Sequence, residues 1–325
     1  MPFLTLGRSD QLDAIYRESH ALWGSGLTLE DYTGLWHDLK RTKWGRRHAG
    51  FYVWVDDRGR VLSSVKLYHP RVRVAGQTSR ATVIGALFTP AAMRRRGHAS
   101  DLVRAVLSRA RERDEHVAML FSDIGTDYYA TFGFRALPAE EDRAALPAEP
   151  GAPPGWSLRS MSEEDMRAVR AAHHDSCLPR PLAVVRDADH WEFLEARTAR
   201  FFERLRDTRV RPRRRIALDH GRFAGYLLTI EGRREWNVRE VGAPGGDPEA
   251  MAAVLRLGAA QALRDGLRGF HGWLPREVKP HLRDWGIRTL PRRRAVPMVL
   301  ALRDSVELSG MNGPGRAYVP FQDQF

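Results

Sequence analysis

The sequence of 325 residues contains a single cysteine, Cys177. One cysteine cannot form an intrachain disulfide, and it excludes zinc sites that depend on paired cysteines. Because Cys177 precedes Leu178-Pro179 at the end of a predicted helix, we interpret it as a buried structural thiol and not as a nucleophile. The near absence of cysteine fits a reducing compartment, and we expect a cytoplasmic protein.

Long apolar runs are also missing, and no stretch of the sequence is long enough to cross a bilayer. The N-terminus lacks the basic start and apolar run of a signal peptide, so we expect no membrane partner. The run His173-His174-Asp175 could suggest a metal site. Three consecutive residues cannot all face one ion from a helix, so we interpret the run as a solvated helix end and expect no metal.

Lysine is scarce, although the net charge is +12. The lysines are Lys40, Lys43, Lys66 and Lys279. The charge therefore comes almost entirely from arginine, and a basic surface favours anionic partners. The arginines are spread along the whole chain, without a lysine-rich tail or zinc-finger spacing, so they are weak evidence for nucleic acid.

The most informative stretch, residues 82–107, predicts an apolar strand, a short basic loop and a helix. The loop carries Arg94-x-x-Gly97-x-Ala99. Such a connection leaves backbone N–H groups unpaired at the positive end of the helix dipole, which suits a phosphate group. The small Gly97 and Ala99 let a ligand approach the backbone, and neighbouring arginines add donors for phosphate oxygens.

Two further motifs follow the helix. The run from Val117 to Ser122 predicts a buried strand, and Asp127-Tyr-Tyr-Ala-Thr-Phe-Gly-Phe134 predicts a short helix with a turn at Gly133. This order of motifs resembles the GCN5-related N-acetyltransferase (GNAT) family and covers about the first 140 residues. In that family the arginine-glycine loop holds the pyrophosphate of acetyl-CoA, and the tyrosine before the Phe-Gly-Phe turn lies near the thioester sulfur.

The resemblance implies roles for residues of this chain. The residues implied to face the pyrophosphate are Arg94, Arg95, Arg96, Gly97, His98, Ala99 and Ser100. Leu87 and Phe88, at the strand end, would offer backbone groups to the pantetheine arm and the thioester carbonyl. Tyr129 keeps the family's spacing to the Phe-Gly-Phe turn and is implied to be the general acid. Its neighbour Tyr128 is the alternative, because one of the two tyrosines is expected to pack in the core.

The general base has several candidates. In the Eis family of tandem acetyltransferases the base is the C-terminal carboxylate of the chain. This chain also ends in phenylalanine, Phe325, after a Gly-Pro-Gly segment and an aromatic tail, although it lacks that family's extra C-terminal domain. We therefore expect the tail 313–325 to return towards Tyr129 and Phe88, or alternatively to close the sheet of the second half. Other possible bases are Asp123, Asp127, Glu30, His69 and a bound water.

The second half of the sequence repeats the order of elements of the first. Strands are predicted at 156–159, 215–218, 223–230, 237–241, 270–274 and 296–302, and helices at 163–174, 193–205 and 249–265. The segment 137–154 is rich in Pro, Ala and Glu and is interpreted as a linker or as the domain boundary. We expect a mixed-sheet α/β fold with two GNAT-like domains, at 1–145 and 155–325, similar to the first two domains of Eis-type enzymes.

The second half departs from the motif where phosphate would bind. Its loop from Gly242 to Glu249 lacks Arg-x-x-Gly-x-Ala. Asp247 and Glu249 complement the helix dipole themselves and repel a pyrophosphate, and Pro248 has no N–H to offer. We expect this domain to shape the acceptor site without binding CoA.

The expected activity is transfer of an acetyl group from acetyl-CoA to a primary amine of a small molecule or peptide. The alternative is a non-catalytic protein that binds CoA or nucleic acid through its basic surface. Retention of Tyr129 favours the enzyme, because a protein that only binds CoA does not need a general acid.

Overall fold

The computed structural model describes residues 1–311, 318–320 and 323–324. The strands of the first half are β1 (Phe3–Leu6), β2 (Ala49–Val55), β3 (Val61–Tyr68), β4 (Arg71–Val74), β5 (Gln77–Phe88), β6 (Val117–Ser122), β7 (Arg135–Ala136) and β8 (Glu140–Ala145). Its helices are α1 (Ser9–Trp23), α2 (Leu29–Arg41), α3 (Lys43–His48), α4 (His98–Glu112) and α5 (Asp127–Ala130).

The second half repeats this pattern. Its strands are β9 (Trp156–Ser160), β10 (Leu182–Val185), β11 (Arg211–Asp219), β12 (Arg222–Glu231), β13 (Glu235–Gly242), β14 (Gly269–Gly272), β15 (Arg288–Pro291) and β16 (Val296–Ala301). Its helices are α6 (Met166–Cys177), α7 (Ala188–Arg204) and α8 (Pro248–Arg264), with a 3₁₀ segment at Arg276–Trp285. The predicted mixed α/β fold is confirmed. No helix among the described residues combines the length and apolar character needed to span a membrane.

Each half is built on a mixed sheet. The first sheet has the order β1-β2-β3-β5-β6-β16-β7, with β4 and β10 attached to one end of β5. The second has the order β15-β8-β14-β13-β12-β11-β9. In each sheet one parallel pair interrupts the antiparallel ladder, β5 with β6 and β13 with β14. A helix, α4 or α8, connects the two strands of each pair, as a parallel connection requires.

The two halves exchange strands. β8 precedes the second half in sequence but pairs with β14 and β15 in the second sheet. β16 follows the second half's helices but pairs with β6 and β7 in the first sheet. The predicted linker over 137–154 is therefore wrong at residues 140–145, which form a strand. β8 lies within the first predicted domain, 1–145, and belongs to the second sheet.

The two faces of the first sheet carry different helices. One face packs against α4 through a core that includes Val65, Leu67, Leu102 and Val106. The opposite face is covered by α1, α2 and α3 together with α7 of the second half, and its core includes Phe193 and Leu194. The second half thus covers one face of the first sheet, and cavities lie along the boundary between the two halves.

Candidate active site

The parallel pair β5–β6 opens at its carboxyl end. The paired residues end at Ile84 opposite Leu120, although β5 continues to Phe88 and β6 to Ser122. Ala86 has a left-handed backbone with φ 45°, an unusual conformation for a residue with a Cβ. This kink lies at a register shift between β3 and β5. The opening leaves backbone groups of residues 85–88 without β6 as a ladder partner.

The loop after β5 ends at an uncapped helix. Gly97 is the N-cap of α4 with φ 83°, and no side chain caps the helix. A Cβ placed on Gly97 would meet no atom within 4 Å, so the space above the helix terminus is open. The first N–H groups of α4 therefore point into open space at the positive end of the dipole. This local geometry is that of an anion site.

The three arginines of the loop differ in their contacts. Arg94 Nε donates a hydrogen bond of 3.1 Å to the carbonyl oxygen of Thr89 and braces the loop. Arg95 and Arg96 are exposed, and among the described residues their side chains make no hydrogen bond or ion pair. Arg95 also has φ 60°, so the loop backbone is bent sharply before Gly97. Both guanidinium groups remain available for phosphate oxygens.

The remaining predicted cofactor residues surround this loop. His98, Ala99 and Ser100 form the half-buried first turn of α4. Leu87 packs with the core beneath α4, whereas Phe88 is buried on the opposite face with Ile15. The loop and the strand end thus flank the opening between β5 and β6.

Tyr128 and Tyr129 lie on the short helix α5, beside the same opening. Tyr129 is 8% exposed and belongs to the core beneath α4. Burial, with smaller contributions from Tyr128 and Asp123, raises the pKa of Tyr129 to about 12, so its hydroxyl stays protonated at neutral pH. Tyr128 is half-buried, and its hydroxyl lies 3.4 Å from Ser100 Oγ. The turn after them is as predicted, with Gly133 at φ 91°.

A cavity of about 730 Å³ lies between the two halves. From the first half it is lined by α1 and α2, including Trp23 and Trp36, and from the second by α7 and β11–β13. The Trp23 ring lies 6.0 Å from the Phe88 ring, centroid to centroid, so this cavity adjoins the end of β5. Its carboxylates are Glu192 and Glu195. Burial raises the pKa of Glu195, against the opposing effect of Arg214.

The described part of the tail lies against both halves. Tyr318 packs on Trp273 with ring centroids 5.5 Å apart, and Val319 joins the core shared with the first sheet. Asp323 forms a buried ion pair of 2.7 Å with Arg186. Gln324 lines the 730 Å³ cavity, and its carbonyl oxygen accepts a hydrogen bond from Arg197. Phe325, predicted as catalytic, lies outside the described residues, as do 312–317.

The other candidate bases occupy different places. Asp123 follows β6 at the opening and accepts a 2.9 Å hydrogen bond from the Ala295 N–H, and the exposed Asp127 begins α5. His69 is 2.8 Å from Glu115 at the amino end of the β5–β6 pair, the end opposite the opening. Glu30 is exposed in the first turn of α2. The structure brings only Asp123 and Asp127 near the tyrosines.

Lys66 is a residue that the sequence analysis did not single out as functional. It is 5% exposed, and its Nζ lies 2.9 Å from the centroid of the Trp36 ring. A desolvated cation–π contact contributes about 2 kcal/mol. Withdrawing an ammonium ion from water costs several kcal/mol. Burial is therefore the larger effect, and it lowers the pKa of Lys66 well below its usual range.

The corresponding loop of the second half is built differently. Asp247 caps α8 by accepting a 2.9 Å hydrogen bond from the Glu249 N–H, and Pro248 occupies the first helical position. The Gly245 N–H donates to the Asp175 carboxylate at 2.9 Å. The groups that would bind an anion are thus occupied within the chain itself.

The interpretation of His173-His174-Asp175 as a solvated helix end is wrong for His173. Its side chain is buried, and its Nδ1 lies 2.9 Å from Glu240, which also pairs with the buried Arg186. Cys177 is buried near His173, as expected for a structural thiol. Among the described residues, no group of three or more His, Cys, Asp and Glu side chains is arranged to hold a metal ion.

Comparison with known proteins places these features in a family. Residues 12–137 match the family model described as an acetyltransferase (GNAT) domain. This range contains the loop, the strand end and both tyrosines. No curated protein matches the sequence at a significant level.

Solved structures resemble the whole chain. A probable N-acyltransferase from Enterococcus faecalis V583 has a TM-score of 0.68 at 13% identity, over 93% of this chain and 73% of that chain. Eis1 from Mycobacterium abscessus has a TM-score of 0.59 at 17% identity, over 93% and 74%. A tandem GNAT protein from the clavulanic acid biosynthesis pathway has a TM-score of 0.56 at 14% identity, over 94% and 100%.

These identities establish a shared fold, and the family model supplies the chemistry of the first half. Residues 12–137 are accordingly a GNAT acetyltransferase domain, and the chain is an acyltransferase with the fold of tandem GNAT proteins.

Proposed function

We propose that the protein transfers an acetyl group from acetyl-CoA to a primary amine of a small molecule or peptide. The observation that carries this proposal is the uncapped N-terminus of α4, which is open above Gly97 and flanked by two exposed arginines. It lies beside the opening of the parallel pair, where a thioester can meet groups from both strands. The family uses acetyl-CoA as its donor, and this geometry suits a pyrophosphate.

Residues 94–100 would hold the pyrophosphate through backbone N–H groups and the arginine side chains. The backbone groups of Leu87 and Phe88 that are not paired with β6 would bind the pantetheine arm and orient the thioester. Bound there, acetyl-CoA supplies an activated acyl group. Tyr129 then has the role of proton donor to the departing thiolate, because its high pKa keeps the hydroxyl protonated.

The acceptor would enter through the 730 Å³ cavity. Aromatic rings from both halves line it, and such walls favour an acceptor that carries an apolar part. Its charged lining residues are Glu192, Glu195, Arg197, Arg213, Arg214 and Arg239, and Glu195 is paired with Arg214. The shared wall at Trp23 and Phe88 connects this cavity with the strand end. The second half thus contributes to acceptor recognition and does not bind a second CoA.

The base that accepts the ammonium proton is assigned to the terminal carboxylate of Phe325. Gln324, its neighbour in sequence, lies on the cavity and is held by Arg197. A free C-terminal carboxylate has a pKa of roughly 3.5, so it is ionised at neutral pH and can accept a proton. The competing base is Asp123, or a water bound near it. We also retain a cytoplasmic location as a prediction.

The test is a thiol-release assay with acetyl-CoA against a panel of primary amines, with product masses determined. The proposal expects acetylated amine in amounts equal to the thiol released. Binding of CoA without transfer to any amine would instead indicate a non-catalytic CoA-binding protein. A second protein, extended by a few residues after Phe325, tests the base. Full activity of this extended protein would assign the base to Asp123 or water.

A further inference from the structure

A second cavity, of about 390 Å³, lies beneath α1 and α2 against the first sheet. Its walls are largely apolar and aromatic, with Tyr16, Trp36, Phe51 and Phe193 among them. Leu6, His37, Lys40 and Arg41 lie at its rim and are exposed, so the cavity opens to solvent. It shares the Trp36 side chain with the larger cavity between the halves.

Lys66 reaches into this smaller cavity from β3. Its Nζ lies within about 6 Å of four aromatic ring centroids, at 2.9 Å from Trp36, 5.4 Å from Phe51, 5.6 Å from Tyr32 and 6.0 Å from Tyr16. Among the described residues, no hydrogen bond or ion pair reaches this amine. The rings offer the ammonium form a cation–π contact, but no carboxylate offsets the larger cost of removing that charge from water.

The titratable groups around Lys66 come from α1, α2 and β3. The groups that line the cavity are Tyr16 from α1, His37, Lys40 and Arg41 from α2, and Tyr68 from β3. Tyr32 of α2 adds a ring near the amine. None of the described residues that line the cavity is acidic, so no carboxylate there stabilises the ammonium form of Lys66. Burial itself lowers the pKa of Lys66.

We propose that Lys66 is a covalent acylation site, a neutral amine in an aromatic cavity that accepts the acyl group of a small acyl thioester. In this reaction the carbonyl carbon–sulfur bond breaks and a carbon–nitrogen amide bond forms. The proton released by the amine passes to the thiolate, so that the products are N-acyl-Lys66 and a free thiol. The acyl group would rest against Trp36 and alter the wall that the two cavities share.

The proposal rests on the proposed function only for the source of acyl thioester in the cell. A truncated donor, S-acetyl-N-acetylcysteamine, removes that dependence because it lacks the nucleotide that the loop at Gly97 would bind. If the protein fails to bind CoA, the proposed function fails and this test still stands.

The chain offers matched controls because it has few lysines. Lys43 is exposed, and Lys279 is paired with Glu140 and Asp142. An exposed lysine with a pKa near 10.4 carries a neutral amine in only about one molecule in 2,500 at pH 7. Lys40 lines the same cavity, but its Nζ donates to the Ala49 carbonyl oxygen.

The experiment treats the full chain with the truncated thioester at pH 7 and follows acetylation of each lysine peptide by mass spectrometry over time. We expect Lys66 to be acetylated at least about tenfold faster than Lys43 and Lys279, because an amine without charge is the nucleophile that attacks a thioester. Lys66→Arg should abolish this fast phase, whereas Lys43→Arg should leave it intact. Acetylation should also change the fluorescence contributed by Trp36.

Two results would overturn the proposal. The first is that the folded protein, verified by circular dichroism, is acetylated at Lys66 no faster than at Lys43. The second is that the fast phase survives Lys66→Arg, since the reactive amine would then lie elsewhere. Raising the pH to 10 should remove the selectivity, because exposed lysines then become neutral as well.

Discussion

The two halves contain the same strand–loop–helix unit, but the N-terminus of the helix is uncapped in the first half and capped in the second. In the first half α4 begins at Gly97 without a side-chain cap, below open space. In the second half Asp247 caps α8, and Pro248 removes one N–H donor. The first terminus is left available to an external anion, and the second is satisfied by the chain itself.

The capping of the helix decides which of the two repeated units can bind an anion. An uncapped helix end is less stable, and it persists where a ligand supplies the missing partner. A capped end stabilises its own helix and excludes such a ligand. The second half instead covers one face of the first sheet, through α7 and the described part of the tail.

The largest expected effect is the loss of CoA binding when a carboxylate is placed in the loop of the first half. Gly97→Asp should weaken CoA binding by roughly a hundredfold or more, because it sets a negative charge among the phosphate donors. Gly245→Asp is the matched control, since Gly245 also has a positive φ, of 64°, and open space around its Cβ position. Calorimetry with CoA measures both. Equal losses in the two variants would erase the distinction between the halves.

The next effect tests the chemistry in the first half. Tyr129→Phe removes only a hydroxyl, and turnover should fall by about a hundredfold with CoA affinity little changed, as for loss of a general acid. Tyr128→Phe is the control, because it makes the same change on the neighbouring ring. Steady-state kinetics with an accepted amine provide the comparison. If Tyr128→Phe were the damaging substitution, the proton donor would be Tyr128.

A smaller loss of CoA affinity is expected from the loop arginines. Replacing both Arg95 and Arg96 with Ala should weaken CoA binding by about tenfold, since two charge-assisted contacts to phosphate are lost. The loss should be greatest at low salt, where such contacts are least screened. The control replaces Arg233 and Arg234, which are also exposed, with Ala and so changes the net charge by the same amount. An equal loss there would mean that general charge, and not the loop, attracts CoA.

The smallest effect concerns the capped terminus. Asp247→Ala should lower the free energy of unfolding by about 1 kcal/mol, because the Glu249 N–H loses its partner. Asp247→Asn should retain most of that stability, since an amide oxygen also caps a helix. Denaturant titration measures both variants, and CoA binding should be unchanged in each. Weaker CoA binding in Asp247→Ala would place a cofactor contact in the second half.

The sequence alone was sufficient to predict the strand–loop–helix unit, because the residues that specify it are neighbours in the chain. The predicted loop at Gly97 and the predicted turn at Gly133 are both present, and both glycines have positive φ. The strand exchange was missed, because a sheet neighbour depends on contacts between residues far apart in the chain. β8 was missed because its acidic residues are poor strand formers. One of them, Asp142, is held by the Leu274 N–H, Thr289 and Lys279.

Lys66 was overlooked for a similar reason. In β3, Ser64 and Lys66 alternate with Val65 and Leu67, a pattern typical of a strand with one face in water. The structure covers that face with α1 and α2, and the polar positions become buried. The helices that cover a strand are not specified by the strand's own sequence.

The central claim is that only the first of the two units binds CoA. A calorimetric titration of the intact protein with CoA tests it most directly by counting sites. The account predicts one site for each chain, saturating without a second transition. Two sites for each chain would contradict it, because the capped terminus at Asp247 would then also accept a pyrophosphate.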